Sequence, residues 1–359
     1  MKKRSLIIFD MDGVLVDVTG SYREVVRLSV VYYLRHVIGA KDLRDDFIDL
    51  EDVSAIKKSG GLNNDWDLTY TILDTLLHSL FHAGNEKLIK VFTGLREIKN
   101  DCDLFKKVSE IQISCDTSDL VQSLGAKGRP GGKTVSELFY KPKSSIETHS
   151  PFLLNQGDVN TGNLAKRIFQ ELYLGGRMFT GITGTRPLFY SGSGYIDRET
   201  LIPSADHLYK LAQNSVLSIA TGRPGVEALH ALRNFKIDEI FSAVVTEDDV
   251  VDAEKRGEKQ LRKPDPYTLN LCMERSGWAG IENKTEVFYV GDMPDDMSAA
   301  VNAGITPIGF VDDRAAVSEE ERTGHRDLLA RKGAEIVFGS FVDMVDHCQK
   351  EATSYGDDL

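Results

Sequence analysis

Near its start the chain reads Leu6-Ile7-Ile8-Phe9-Asp10-Met11-Asp12-Gly13-Val14. Four consecutive apolar residues are typical of a strand that is buried on both faces. Residues i and i+2 of an extended chain point the same way, so Asp10 and Asp12 can face one pocket beyond the strand. Gly13 permits a sharp turn there. Two such aspartates could merely cap a loop or a helix, but the carboxyl end of a buried strand is where open α/β sheets place their active sites.

Length and charge narrow the class of protein. With 359 residues the chain is long enough for two domains. Its net charge of −12 argues against sequence-independent binding to nucleic acid and against binding to anionic membranes. The basic N-terminus precedes an apolar run far too short for a signal peptide, and no apolar run reaches transmembrane length. We therefore expect a cytoplasmic protein whose partners include neither nucleic acid nor a membrane.

Helical and strand patterns alternate from residue 204 onward. The predicted helices are 205–214, 225–234, 266–277, 295–303 and 318–331, and the predicted strands are 216–220, 240–245, 287–290, 306–311 and 335–338. This alternation predicts βαβ crossovers, and therefore an α/β fold with a doubly wound, Rossmann-like parallel sheet. The opening strand 6–9 belongs to that sheet, so a domain is inserted after it. The predicted domains are a core (1–17 and 204–350), a mainly α-helical insertion (18–203, with 118–163 loop-rich or mobile) and a polar tail (351–359).

Two further groups follow predicted strands of this core. Thr221 and Gly222 could hold a phosphoryl oxygen with a hydroxyl and backbone N–H groups, although a threonine that caps the next helix would look the same. Lys263 precedes Pro264, which restricts the lysine to an extended conformation. Held in this way, the ammonium could neutralise a carboxylate and a phosphoryl oxygen together; the alternative is a solvated lysine in a charged loop.

A later predicted strand ends in Gly291-Asp292-Met293-Pro294-Asp295-Asp296. Carboxylates at the ends of neighbouring strands suit an octahedral Mg²⁺ that keeps several waters. We expect Asp292 to bind the metal directly, and Asp296 to bind it through water or to orient Lys263. Asp295 is predicted to be the N-cap of the following helix.

The order of these motifs resembles that of the haloacid dehalogenase superfamily of hydrolases. Asp10–Asp17 is similar to the first motif of that family, and Asp292–Gly304 is similar to its last. The insertion resembles the helical C1 cap of subfamily I, in the phosphoglycolate phosphatase-like branch, but it is much longer than those caps usually are.

The resemblance implies a Mg²⁺-dependent phosphatase acting on a small phosphorylated metabolite. Asp10 would attack phosphorus to form an aspartyl-phosphate, and Asp12 would protonate the leaving alcohol and then activate water. Dehalogenating members lack this second aspartate and need no metal. The implied catalytic residues are Asp10, Asp12, Thr221 and Lys263, and the implied Mg²⁺ ligands are Asp10, Asp12 (through its backbone carbonyl), Asp292 and Asp296.

Substrate recognition is expected from the insertion. The candidate substrate-binding residues are Arg23, Asn63, Asn64, Asp65 and Trp66, together with Gly222 of the core. Asparagine and aspartate suggest hydroxyl partners, such as those of a sugar or polyol phosphate. Alternatively, residues 63–65 merely cap a helix that begins at Trp66.

Two other functions stay open at this stage. A phosphomutase would use the same aspartyl-phosphate chemistry. A non-catalytic binding or regulatory protein could also use this fold, but it would be expected to lack Asp10, Asp12 or Lys263, and all three are present.

Overall fold

The computed structural model describes residues 5–38, 43–48, 50, 53, 68–70, 72–73, 158–160, 163–257, 261–280, 286–315 and 317–354. The strands are β1 (Ser5–Phe9), β2 (Val16–Asp17), β3 (Thr200–Leu201), β4 (Ser215–Ala220), β5 (Phe241–Val245), β6 (Val287–Gly291), β7 (Thr306–Phe310) and β8 (Ile336–Phe338). The α-helices, numbered over the described residues, are α1 (Glu24–Tyr32), α2 (Leu164–Thr183), α3 (Ala205–Asn214), α4 (Gly225–Asn234), α5 (Glu247–Lys255), α6 (Tyr267–Arg275), α7 (Pro294–Ala303), α8 (Glu319–Arg331) and α9 (Phe341–Ser354).

The chain divides into two compact units. The first unit comprises Met1–Val18 and Glu199–Leu359, and the second unit comprises Thr19–Arg198. Residues 199–203 therefore lie with the first unit, whereas the sequence places the end of the insertion at residue 203.

Among the helices that the structure describes, none combines the length and the apolar composition needed to cross a bilayer.

A six-stranded sheet forms the centre of the first unit. Its strand order is β5-β4-β1-β6-β7-β8, and each neighbouring pair is parallel. β1 lies between β4 and β6, with Ile7 opposite Leu217 on one side and Phe288 on the other. The predicted α/β fold with a doubly wound parallel sheet is confirmed.

Helices cover β1 on both faces of the sheet. Ile7 and Phe9 belong to one apolar cluster, which includes residues of α3, α4 and α9. Leu6 and Ile8 belong to a second cluster, with residues of α6 and α7. Since successive side chains of a strand point to opposite faces, the four-residue apolar run supplies both cores.

Most predicted elements of the first unit are found within a residue or two of their expected limits. Two helices were not predicted. α5 is strongly acidic in sequence. Val250 and Ala253 are its only buried residues, so the helix lacks a marked apolar stripe. α9 extends to Ser354, into the stretch that the sequence assigns to a polar tail.

The second unit is described in part. α1 is flanked by π-helical turns at Thr19–Arg23 and Tyr33–Ile38, and the ring of Tyr22 stacks on that of Tyr173 of α2 at 4.3 Å between centroids. Residues 68–70 and 72–73 are helical. The candidate recognition residues 63–66, and all of 118–163 except 158–160 and 163, lie outside the described residues.

A buried ion pair organises α2. Arg167 and Glu171 are fully buried, and Arg167 Nε donates to Glu171 Oε1 at 2.8 Å. The Glu171 carboxylate also accepts the backbone N–H groups of Leu188, Phe189 and Tyr190, at 2.6–3.0 Å. One carboxylate therefore holds the segment after α2 against that helix.

We expect Glu171→Ala to lower the free energy of unfolding by about 3–5 kcal/mol, because it leaves Arg167 buried without its partner carboxylate. Urea denaturation followed by circular dichroism measures this change. The control is Asp46→Ala, which breaks an exposed ion pair to Arg44 and should leave the urea midpoint almost unchanged. Equal midpoints for the two variants would contradict the assignment.

Candidate active site

The sheet brings the predicted motifs to one edge. Asp10 follows β1, Thr221 follows β4 and Asp292 follows β6, and these three strands are neighbours. The carboxyl ends of parallel strands meet at the same edge of a sheet. The backbone N–H of Asp10 donates to the carbonyl of Val290 at 2.8 Å, which fixes the start of this loop against β6.

Lys263 lies between two of the carboxylates. Its Nζ is 2.9 Å from Asp10 Oδ1 and 2.9 Å from Asp296 Oδ1. It also donates to the carbonyl of Ala220, the last residue of β4, at 3.2 Å. The three donors of the ammonium thus meet three oxygens from β4, the end of β1 and α7. The lysine is held in the site, and the alternative of a solvated loop lysine is wrong.

Burial shapes the charge state of this ion triad. It raises the pKa of Asp10 to about 7, with Asp296 and Asp12 adding to the rise and Lys263 opposing it. Burial alone would lower the pKa of Lys263, but the carboxylates of Asp10 and Asp296 outweigh that effect and the pKa is raised. The lysine is therefore a permanent positive charge at neutral pH.

Asp296 is the most enclosed carboxylate of the site. Its Oδ1 accepts the Tyr289 hydroxyl at 3.0 Å as well as Lys263, and its Oδ2 accepts the backbone N–H of Met293 at 2.9 Å. The prediction that Asp295 caps this helix is wrong. Because α7 begins at Pro294, it is Asp296 that occupies the third helical position, from which a side chain can reach back to the N-cap N–H.

Three carboxylates form a candidate metal centre. Asp10, Asp292 and Asp296 each offer an oxygen, and these oxygens lie within 4.8 Å of one another. A Cβ at Gly13, whose φ is +75°, would lie 2.2 Å from Asp292 Oδ2. Only a glycine at that position leaves room for the carboxylate. This set of oxygens fits a hard cation such as Mg²⁺; since Asp296 already accepts three hydrogen bonds, Asp10 and Asp292 are the better direct ligands.

Asp12 is held by a buried arginine. Arg223 Nε donates to Asp12 Oδ1 at 2.6 Å, and Arg223 Nη2 contacts the same oxygen. The other side of the guanidinium faces both oxygens of Glu199, with Nη1 at 2.8 Å and Nη2 at 3.1 Å. The Thr221 hydroxyl accepts the backbone N–H of Arg223 at 3.1 Å and can still donate its own proton.

Residues 203–310 match the family model described as haloacid dehalogenase-like hydrolase. This part of the first unit is therefore similar to that family. No curated protein matches the sequence.

Two solved structures are similar to this chain. An X-ray structure from the Northeast Structural Genomics Consortium is 20% identical with a TM-score of 0.63, and the match covers 96% of this chain and 99% of that one. A phosphatase from Thermococcus thioreducens is 20% identical with a TM-score of 0.45, over 83% of this chain and 87% of that one. At 20% identity the likeness to the first of these structures concerns the fold alone.

Gly222 and Arg23 are the other candidate residues that the structure describes. Gly222 is exposed next to Thr221. Arg23 is half-buried in the second unit. Asn63, Asn64, Asp65 and Trp66 lie outside the described residues, and their part in substrate binding stays a prediction.

Sequence reasoning missed four residues around the site. Arg223 directly follows Thr221 and Gly222, but the sequence alone assigns it no role, and Glu199 has no local signal. The Tyr289 hydroxyl is hidden in an apolar strand. His325 of α8 places Nε2 2.7 Å from the backbone carbonyl of Asp292. For Arg223 and Tyr289, a polar group next to a predicted motif was the available signal.

Mg²⁺ at about a hundred times its Kd should stabilise the protein by about 2.7 kcal/mol, measured as a rise in Tm by differential scanning calorimetry. Gly13→Ala should abolish this rise, because the new methyl group displaces the Asp292 carboxylate. Gly277→Ala is a matched control, since Gly277 also has φ +75°, but no atom of the described residues, its chain neighbours aside, lies within 4 Å of the new Cβ.

Both alanines strain the backbone, so both should lower the Tm of the metal-free protein. Only Gly13→Ala should lose the response to Mg²⁺. A Gly13→Ala protein with the full response would show that Asp292 does not bind the metal.

Proposed function

We propose that this protein is a Mg²⁺-dependent phosphatase that hydrolyses a small phosphorylated metabolite through an aspartyl-phosphate. The observation that carries the proposal is the half-buried Lys263 ammonium, 2.9 Å from Asp10, which is itself one of three clustered carboxylates. A nucleophile, its counter-charge and a cation site at the carboxyl edge of a parallel sheet are the parts that phosphoryl transfer requires.

Asp10 is the proposed nucleophile. Lys263 contacts Oδ1, and the second oxygen, Oδ2, would attack phosphorus. An O–P bond forms to Asp10 as the bond from phosphorus to the leaving oxygen breaks. Asp12 supplies the proton that this oxygen needs.

Water completes the reaction. Asp12, now ionised, takes a proton from water as the water oxygen attacks the aspartyl-phosphate. The bond from phosphorus to Asp10 breaks, and inorganic phosphate and the original carboxylate result. One residue thus acts first as acid and then as base.

Charge on the transferring group is offset from three sides. The Thr221 hydroxyl would donate to a phosphoryl oxygen, and the positive charge of Lys263, whose three donors are already engaged, would stabilise the group electrostatically. Asp10, Asp292 and the backbone carbonyl of Asp12 would hold Mg²⁺, with Asp296 in support, and the ion would supply positive charge against the crowded anions. The proposed substrate is a sugar or polyol phosphate, on account of the polar residues at 63–65 of the second unit.

Purified protein with Mg²⁺ should release inorganic phosphate from one or more members of a panel of sugar and polyol phosphates. Asp10→Asn should abolish release because the nucleophile is lost. Asp12→Asn should lower kcat about 10²–10⁴-fold because acid–base catalysis is lost. Chelation with EDTA should stop release, and added Mg²⁺ should restore it.

Asp327→Asn is the control, since this exposed aspartate of α8 has no part in the proposed reaction. Full activity of Asp10→Asn would refute the mechanism. Transfer of phosphate between two positions of one sugar, with little free phosphate, would identify a phosphomutase instead.

A further inference from the structure

We propose that Arg223 and Glu199 together are positioning residues for Asp12, and that they select which of its two oxygens handles the proton. This inference rests on the proposed function. Neither residue contacts the nucleophile Asp10 in the hydrogen bonds described above. Their proposed effect is exerted through the Asp12 carboxylate.

The three side chains differ sharply in exposure. The side chains of Arg223 and Glu199 are each 1% exposed, whereas that of Asp12 is 36% exposed. An exposed carboxylate beside a glycine turn would by itself sample several rotamers. The Arg223 guanidinium makes two hydrogen bonds to the buried Glu199 carboxylate, and these fix its orientation. Two N–H groups of the planar guanidinium match the two oxygens of a carboxylate.

The backbone around Arg223 supports this direction. Its N–H donates to the Thr221 hydroxyl at 3.1 Å, and its carbonyl accepts the N–H of Glu247, the first residue of α5, at 2.9 Å. Glu199 precedes β3, which pairs with β2 immediately after the Asp12 turn. Arg223 is therefore tied to Thr221 and to the start of α5, and Glu199 directly precedes the strand that pairs with the segment after the Asp12 turn.

Both contacts from Arg223 go to Oδ1 of Asp12. With the lone pairs of Oδ1 engaged, the proton of the acid form resides on Oδ2. As the bond from phosphorus to the leaving oxygen breaks, the electron pair passes to that oxygen and the Oδ2 proton follows it. Asp12 is left ionised, and the positive charge of Arg223 balances its negative charge. Orientation of the acid, rather than its strength, is the proposed contribution.

The test compares two leaving groups. A phosphate ester of an aliphatic alcohol needs a proton at its leaving oxygen, whereas p-nitrophenyl phosphate has a leaving group that departs without one. The value of kcat/KM reports the step in which the alcohol or phenol leaves. Arg223→Lys and Glu199→Gln should lower kcat/KM for the alkyl ester about 10²-fold and leave that for p-nitrophenyl phosphate within a few-fold of wild type.

Two controls distinguish a loss of Asp12 positioning from general damage to the enzyme. Arg275→Lys alters an arginine that also pairs with an aspartate, Asp249, in the same unit, and it should affect neither substrate. Adding Arg223→Lys to Asp12→Asn should cost little more than Asp12→Asn alone, since residues that act through one group are not additive.

Equal loss of kcat/KM on both substrates, or a full further loss in the Asp12→Asn background, would overturn the proposal. A second readout does not depend on turnover: crystal structures of wild type and Arg223→Lys should differ in the direction of the Asp12 carboxylate. An unchanged carboxylate would also overturn it. Wild-type protein that hydrolyses no phosphate ester would instead defeat the proposed function, and the two failures are therefore distinguishable.

Discussion

One ammonium group holds the site together. Lys263 offsets two buried carboxylates at once, and without it Asp10 and Asp296 would place like charges close together in a medium that screens them poorly. Asp296 in turn caps α7 and accepts the hydroxyl of Tyr289 on β6. The Lys263 ammonium thus links three elements, directly or through Asp296: the end of β1, the centre of β6 and the start of α7. These elements lie close to one another because β1 and β6 are neighbours in the sheet.

Much of this arrangement could be predicted from the sequence, because it is encoded locally. An apolar run followed by Asp10 and Asp12, and a second run followed by Gly291 and Asp292, each specify a buried strand with carboxylates at its end. Once the strands are known to be parallel, their carboxyl ends must share an edge. No distance needs to be known for the motifs to be placed together, so the fold class and the group of residues at this edge followed from pattern alone.

The features that were not predicted depend on contacts between distant segments, on the exact residue at which a helix begins, or on polar contacts at the start of a helix. Glu199 reaches Arg223 only because β3 pairs with β2. Because α7 begins at Pro294 and not at Asp295, the residue whose side chain caps the helix is Asp296. α5 is stabilised by Thr246 and Asp249 at its start and not by an apolar stripe, and hydrophobic periodicity cannot detect such a helix.

The position of β1 also has a consequence for how the chain is assembled. Its partners β4 and β6 are encoded far downstream, on the other side of the whole second unit. During synthesis on the ribosome, an apolar segment that is wholly buried in the finished protein must wait unpaired while the second unit emerges and folds. High contact order of this kind slows folding. Asp10, the proposed nucleophile, is thus synthesised before the second unit, and its surroundings are completed only after that unit.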